Sequence, residues 1–447
     1  MGKKHLKKES YRYNFFRFFF YILHNFFFYR KVIVNGKENI PKKDGIIFAG
    51  NHQNSLMDPL SIIFNSGRQT VFLSRADIFK GKTVKKILNF LKILPIYRKK
   101  MDHGNTISKN QKIFDLSVEI LEKKQAIGIF PEGTHYGERR LHILKKGMSR
   151  IAFQAAVKHN WRTKLKIIPF GIFYDNYFQW KRNIIINYGE GIEIKNYKNE
   201  FQKNEKTAIN KLNDDLKNSI KKLILDIENY DYYDFYEKTI KIYKDEYLKN
   251  KKLKINAENR FKASRIIIKK LDFLFEKNNK EFLFLKEKVD FYFENLKKIK
   301  LKNFLFKKNI NFLKLFLQTF LLIFMLPFYF FGVINNYLPY KIPLIFNKKI
   351  KDKQFHTSIM VATGIFLFPL FYIFQFLFLF LLFEIYYWIL FLYLFSLPFM
   401  GIFSYYYFVN FKNLILKWRY FFYSKKKNSI FMDLKEKHNS IFEIIKK

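Results

Sequence analysis

A histidine stands six positions ahead of an aspartate in NHQNSLMDPL, residues 51–60, directly after the apolar run GIIFAG. An imidazole with an ordinary pKa of about 6.5 can take a proton from a hydroxyl at neutral pH, and a carboxylate beside it can fix its tautomer and stabilise the imidazolium that forms. If the hydroxyl belongs to a substrate, His52 and Asp58 need no serine; they are a triad reduced to its base and orienting acid. Their spacing sets a condition. Six residues of helix rotate through about 600°, which would put the side chains on different faces, so the pair can meet only if His52 lies in a loop ahead of the helix. The same stretch also reads as a plain helix start, with Asp58 as N-cap and Pro59 at the first helical position.

A second block, GIFPEGTHYG at residues 128–137, puts Glu132, Gly133 and Thr134 after an apolar run, where backbone N–H groups and side chains could bind a polar or phosphorylated substrate. A simple strand-to-turn connection would also account for its Pro and Gly. The elements that must position both blocks are legible between about 32 and 195. Apolar runs KVIVNG, GIIFAG, TVFLSR, AIGIFPEG, LKIIPFGIF and NIIINYGEGIEI alternate with helical patterns over 59–65, 82–94, 107–124 and 147–159. This alternation predicts an α/β domain with a central, largely buried mixed sheet flanked by helices.

With 447 residues there is room for two or three domains, and the absence of cysteine excludes disulfides, thiolate metal sites and a cysteine acyl-enzyme. Any nucleophile must be oxygen or nitrogen. The formal net charge of +45 points to an anionic membrane surface rather than to nucleic acid, because Phe, Lys, Asn and Ile are all heavily used, as in coding that drifts toward A and T. Each lysine near an anionic leaflet contributes about 1 kcal/mol, so a handful would suffice for attachment.

Residues 1–30 are basic and then aromatic; their apolar stretch is too short to span and, with no small-residue cleavage site after it, predicts a helix region lying at the membrane interface. Residues 31–198 form the predicted catalytic domain, 199–312 a Lys, Asn and Glu rich helical connector, 313–411 a transmembrane region and 412–447 a basic tail. Leu315–Ile334 is uncharged for 20 residues, and Glu384 is the only charge between Ile359 and Asn410, which fits two spans joined by a turn near Glu384. Basic flanks on both sides of that hairpin place them in the cytoplasm. Pro327 leaves the first apolar segment open between a third span and a kinked or re-entrant helix.

Together the motifs resemble the glycerolipid acyltransferase superfamily, in particular bacterial 1-acylglycerol-3-phosphate acyltransferases. NHQNSLMD, ILPIYR ending at Arg98, FPEGT from Phe130 and IIPFGI around Pro169 follow the family's order over about residues 30–195. Five residues, not four, separate His52 from Asp58; Tyr97 stands where an acid is usual and His135 where an Arg often follows FPEGT. The longer spacing and the C-terminal spans are similar to a branch that includes fungal glycerol-3-phosphate acyltransferases.

The resemblance implies an α/β acyltransferase in which His52 is the general base on an acceptor hydroxyl and Asp58 its orienting partner. Arg98, Glu132, Gly133 and Thr134 would bind the glycerol phosphate acceptor, with Arg75 of FLSRADIF as a further phosphate candidate. The acyl donor would be acyl-CoA or acyl carrier protein, with no metal or other cofactor required and membrane lipids as surroundings. Transfer to 1-acylglycerol 3-phosphate, transfer to glycerol 3-phosphate, a relative made inactive by the extra residue, and a non-enzymatic basic membrane-anchored protein remain distinct readings at this level.

Overall fold

The computed structural model describes residues 11–79, 81–97, 106–177, 180–306, 310–426 and 428–446. The chain divides into two compact units, Met1–Glu228 with Asp352–Ser358, and Asn229–Lys351 with Ile359–Lys447.

The first unit opens with helix α1 (Tyr11–Ile22), which runs into a π-helical turn, Leu23–Phe28. Tyr13, His24 and Tyr29 are buried, while Phe15, Phe18, Phe19 and Phe26 are exposed. There follow β1 (Lys31–Asn35), β2 (Gly45–Gly50), α2 (Met57–Asn65), β3 (Thr70–Arg75), α3 (Lys82–Phe90), β4 (Ile93–Ile96), α4 (Thr106–Glu122) and β5 (Ala126–Ile129). The unit continues with α5 (Gly147–Lys158), β6 (Leu165–Tyr174), β7 (Asn183–Tyr188), the short β8 (Ile192–Glu193), α6 (Lys198–Lys203) and α7 (Glu205–Lys221).

The strands form one mixed sheet in the order β1-β7-β6-β2-β5-β3-β4, with β8 also on β6. β2, β3, β4, β5 and β6 pair in parallel where they adjoin, and β6 turns antiparallel to β7. Every residue of β2 is buried, as expected of a parallel strand covered on both faces. Alternate residues Ile47 and Ala49 of β2, Val71 and Leu73 of β3, and Ile127 and Ile129 of β5 pack with residues of α4, α5 and α7 in one core, as a side-chain period of two requires. The helical pattern that begins at Lys82 ends at Phe90, not at Leu94. Lys92 has a φ of 58°, and Ile93 and Leu94 instead pair with Phe72 and Leu73 of β3.

In the second unit α8 (Tyr233–Asn250), α9 (Ala257–Lys277) and α10 (Asn279–Lys298) precede the apolar helices α11 (Phe312–Phe324), α12 (Leu326–Lys348), α13 (His356–Leu382), whose first three residues belong to the first unit, and α14 (Tyr387–Lys425), and α15 (Ser429–Lys446) closes the described chain. Among the described residues two segments, Lys353–Leu382 and Tyr387–Lys425, are long and apolar enough to cross a membrane, and α11 with α12 would add a third if that pair, bent by 51°, is one span. The bend falls beside Pro327. Glu384 sits in the connection between α13 and α14. Side chains of this bundle pair uncharged polar groups with each other: Tyr372 donates to Asn336 Oδ1 at 2.6 Å, and Tyr393 to Asn335 Oδ1 at 2.5 Å.

Gly128 marks the tightest point of the sheet near the second motif, since a Cβ there would lie 2.4 Å from two ring atoms of Phe72. Gly128→Ala should cost about 1–3 kcal/mol of stability, the usual range for overpacking a core, read as a lower melting temperature of the detergent-solubilised protein. An unchanged melt would show that Phe72 can move aside freely.

Candidate active site

Both motif segments leave the sheet at the same edge, because β2 and β5 are parallel neighbours in register, Ala49 beside Ile129. Two loops leaving the C-terminal ends of adjacent parallel strands make a crevice, the usual place for a site in an α/β sheet. The first loop is anchored by Asn51, whose buried side chain accepts from Ile172 N at 2.8 Å and donates to Ile172 O at 3.0 Å, so that it continues the ladder of β6. His52 follows in irregular backbone ahead of α2, and Asp58 is in the first turn of that helix.

The spacing condition is met. His52 Nδ1 lies 2.8 Å from Asp58 Oδ2. A carboxylate can only accept, so Nδ1 carries the proton and Nε2 keeps a lone pair available as a base. Asp58 is not the N-cap of its helix: Leu56 holds that position without a side-chain cap, and Pro59 is the third helical residue. The carboxylate turns back instead and accepts from the N–H groups of Gln53 and Asn54, both at 2.7 Å. The chain between them reverses at Ser55, whose φ of 34° is unusual for a residue with a Cβ.

The other carboxylate oxygen, Oδ1, accepts from the Tyr174 hydroxyl at 2.6 Å. Asp58 is completely buried, and these donors replace the water it has lost. Tyr174 is likewise buried, which together with the neighbouring Asp58 charge raises its phenol well above the ordinary range and keeps it a donor. The imidazole of His52 retains 15% side-chain exposure, enough to be reached from outside. Its ring lies flat on Phe130, with centroids 4.1 Å apart and planes 13° from parallel.

The second loop is laced to the first through Glu132. Its Oε1 accepts from His52 N at 2.8 Å and its Oε2 from His142 N at 3.3 Å, while Tyr136 N donates to His52 O at 3.0 Å. Burial pushes the Glu132 carboxyl up to about 8, with the two backbone donors opposing the shift. Gly133 has a φ of 72°, which lets the loop turn back so that its N–H reaches Phe130 O at 3.0 Å. Thr134 is half-buried in the same loop. Arg75, at the end of β3, is partly exposed and paired with Asp77 in the turn that follows. Arg98 lies outside the described residues. No group of three or more His, Cys, Asp or Glu side chains among the described residues could hold a metal ion.

The dyad, the strand order and the second loop coincide with a match to the family model described as Acyltransferase, over residues 31–173. The matched stretch is less than half of the chain. Curated proteins are similar to part of the chain. The 1-acyl-sn-glycerol-3-phosphate acyltransferase of Borreliella burgdorferi is 29% identical over 164 residues, covering 37% of this chain and 59% of the relative. A chloroplastic 1-acyl-sn-glycerol-3-phosphate acyltransferase of Arabidopsis thaliana is 27% identical, covering 28% of this chain and 34% of the relative. The glycerol-3-phosphate O-acyltransferase 2 of Saccharomyces cerevisiae is 27% identical, covering 30% and 17%. The chain thus spans less than two thirds of each relative's length.

In this unit, the sequence alone marked His52, Asp58 and the Glu132 block as candidates but not Asn51, Phe130 or Tyr174. Tyr174 closes an apolar strand and carries no local signal; only the fold brings it 116 positions back to Asp58. Tyr174→Phe should leave a buried carboxylate oxygen without its donor and cost about 1–3 kcal/mol, seen as a lower melting temperature together with reduced turnover. Glu132 makes a second, pH-dependent test. A carboxyl raised from 4.5 to about 8 on folding stabilises the protein fully below the unfolded value and loses that contribution as pH rises through the folded one. The melting-temperature advantage of the wild type over Glu132→Gln should therefore shrink as pH is raised from about 5 to about 8.5; an advantage that grows would contradict the raised carboxyl.

Proposed function

We propose that the chain is a membrane-bound O-acyltransferase that moves a fatty acyl group from a thioester donor, acyl-CoA or acyl carrier protein, to the hydroxyl of 1-acylglycerol 3-phosphate, giving phosphatidate. The observation that carries this reading is the His52–Asp58 dyad, with Nε2 unengaged by Asp58, tied through Glu132 to the FPEGT loop. Nε2 of His52 accepts the hydroxyl proton as the acceptor oxygen attacks the thioester carbon. The C–O bond forms, the C–S bond breaks, and the proton held on His52 passes to the departing sulfur. Asp58 stabilises the imidazolium in the interval, and no covalent acyl-enzyme is required.

Gly133 and Thr134 border the acceptor, with Arg98 and Arg75 as its phosphate partners, while Glu132, both of whose oxygens are occupied by backbone donors, acts through His52. The proposed organisation is an interfacial N-terminal region over 1–30, the catalytic domain over 31–198, a helical connector over 199–312, a transmembrane region over 313–411 and a basic tail over 412–447. The catalytic domain faces the cytoplasm, as the basic flanks of the apolar hairpin suggest. A second acceptor, glycerol 3-phosphate, is supported by the five-residue gap between His52 and Asp58 and by the similarity to the yeast glycerol-3-phosphate O-acyltransferase.

His52→Ala should lower turnover by about 10² to 10⁴-fold, the usual worth of a general base, while the protein stays in the membrane fraction. Membranes supplied with one labelled acyl donor and each acceptor in turn should give phosphatidate as the main product. Lysophosphatidate formed chiefly from glycerol 3-phosphate would reverse the order of the two acceptors, and near-normal activity of His52→Ala would remove the mechanism.

A further inference from the structure

The catalytic unit contains a short segment from far downstream, Asp352–Ser358, whose neighbours on either side in the chain, Lys351 and Ile359, belong to the other unit. By sequence it is part of a basic stretch between two apolar helices. In the structure it touches three parts of the site. Asp352 Oδ2 lies 2.9 Å from His135 Nε2, and the Phe355 ring stands at 90° to the His135 ring with centroids 4.8 Å apart. Leu56, in the loop between His52 and Asp58, donates its N–H to Ser358 Oγ at 3.1 Å. Thr357 Oγ1 donates to Tyr177 O at 3.3 Å, just past the strand that carries Tyr174. Gln354 packs so closely on the loop after Thr134 that a Cβ on Gly137 would fall 2.7 Å from its Nε2.

His135 is the link to the chemistry. Its ring is perpendicular to that of His52, at 86° with centroids 5.4 Å apart, so His52 is bounded by Phe130 on one side and His135 on another. Resting on the reading of His52 as the base, we propose that Asp352–Ser358 is a clasp that completes the active site, with Asp352 a positioning residue that acts on His52 through His135. The Asp352 carboxylate accepts from Nε2–H of His135 and so fixes that ring's tautomer and orientation. Burial and the proximity of His52 depress the His135 pKa, with Asp352 opposing. A neutral His135 gives His52 a wall that carries no positive charge when His52 takes up its proton. Ser358 does for the backbone of the first loop what Asp352 does for the second: each holds a loop of the site from the same seven-residue segment.

The clasp is tested in the full-length protein with Asp352→Ala, Asp352→Asn and Ser358→Ala, by two readouts. The first is kcat and KM for lysophosphatidate and acyl-CoA. The second, independent of turnover, is the rate at which diethyl pyrocarbonate modifies His52, followed peptide by peptide by mass spectrometry. Asp352→Ala should lower kcat about tenfold with KM within about twofold, and should raise the His52 modification rate about threefold or more, as expected when a positioning hydrogen bond is lost. Asp352→Asn, which keeps an oxygen acceptor, should recover most of both. Ser358→Ala should raise His52 modification in the same direction, and carries the test if Asp352→Ala does not accumulate in membranes. Unchanged His52 modification in both alanine variants overturns the clasp, as does a rise in KM alone or an Asn variant no better than the Ala variant. If the wild type acylates neither acceptor, the proposed function fails, and the modification rates still decide the clasp.

Discussion

The site depends on one buried carboxylate. Asp58 has no exposure, and an ionised carboxyl removed from water costs several kcal/mol unless its lone pairs are met by donors. Four donors meet them: the His52 imidazole, the N–H groups of Gln53 and Asn54, and the Tyr174 hydroxyl. They tie two distant pieces of chain, residues 52–54 and Tyr174, to the same point. The two amides curl the loop back over the first turn of α2, the tyrosine brings in the end of β6, and the imidazole is fixed in the tautomer that leaves Nε2 basic. The geometry that looked forbidding for a six-residue spacing on a helix is what this arrangement produces, because only the aspartate is helical.

The second loop depends on the first in turn. Glu132 grips the backbone N–H of His52, and Tyr136 grips its carbonyl, so the histidine is held on its side chain by one loop and on its main chain by the other. Phe130 lies under the ring between them. A second carboxylate this close to Asp58 favours its protonated form, and the rise of Glu132 to about 8 follows from burial with Asp58 nearby. The partner of the imidazole and the backbone clamp are thus both acids, one meeting a side chain and the other the main chain of the same histidine.

Much of this was legible in the sequence. The alternation of apolar runs and helical patterns anticipated the strands and helices of residues 31–194, and the two motif blocks lie at the ends of adjacent strands as their positions after GIIFAG and AIGIF implied. Local patterning misplaced the end of α3, since Ile93 and Leu94 fit a helical face as readily as a strand and only pairing with β3 decides between them. It also left Asp58 open between a helix cap and a partner of His52, because Asp-Pro at a helix start has the first meaning until a longer-range donor outcompetes the helix's own N–H groups. Tyr174 and Asn51 were silent for the same reason: their importance comes from residues more than a hundred positions away. Asp352 was hidden more thoroughly, in a run of lysines whose charge suggested only a membrane surface.

The bond from Leu56 to Ser358 joins residues 302 positions apart. A ribosome finishes β7, the last long strand of the sheet, with Ser358 still 170 residues from being made, as the interval from Tyr188 shows. The nascent chain can therefore assemble its sheet and bring His52 to Asp58 early, but the wall behind His135 arrives only with the start of the apolar helix α13. Order of synthesis thus becomes order of assembly: the site is closed by the same stretch of chain that begins the first of the two long apolar segments.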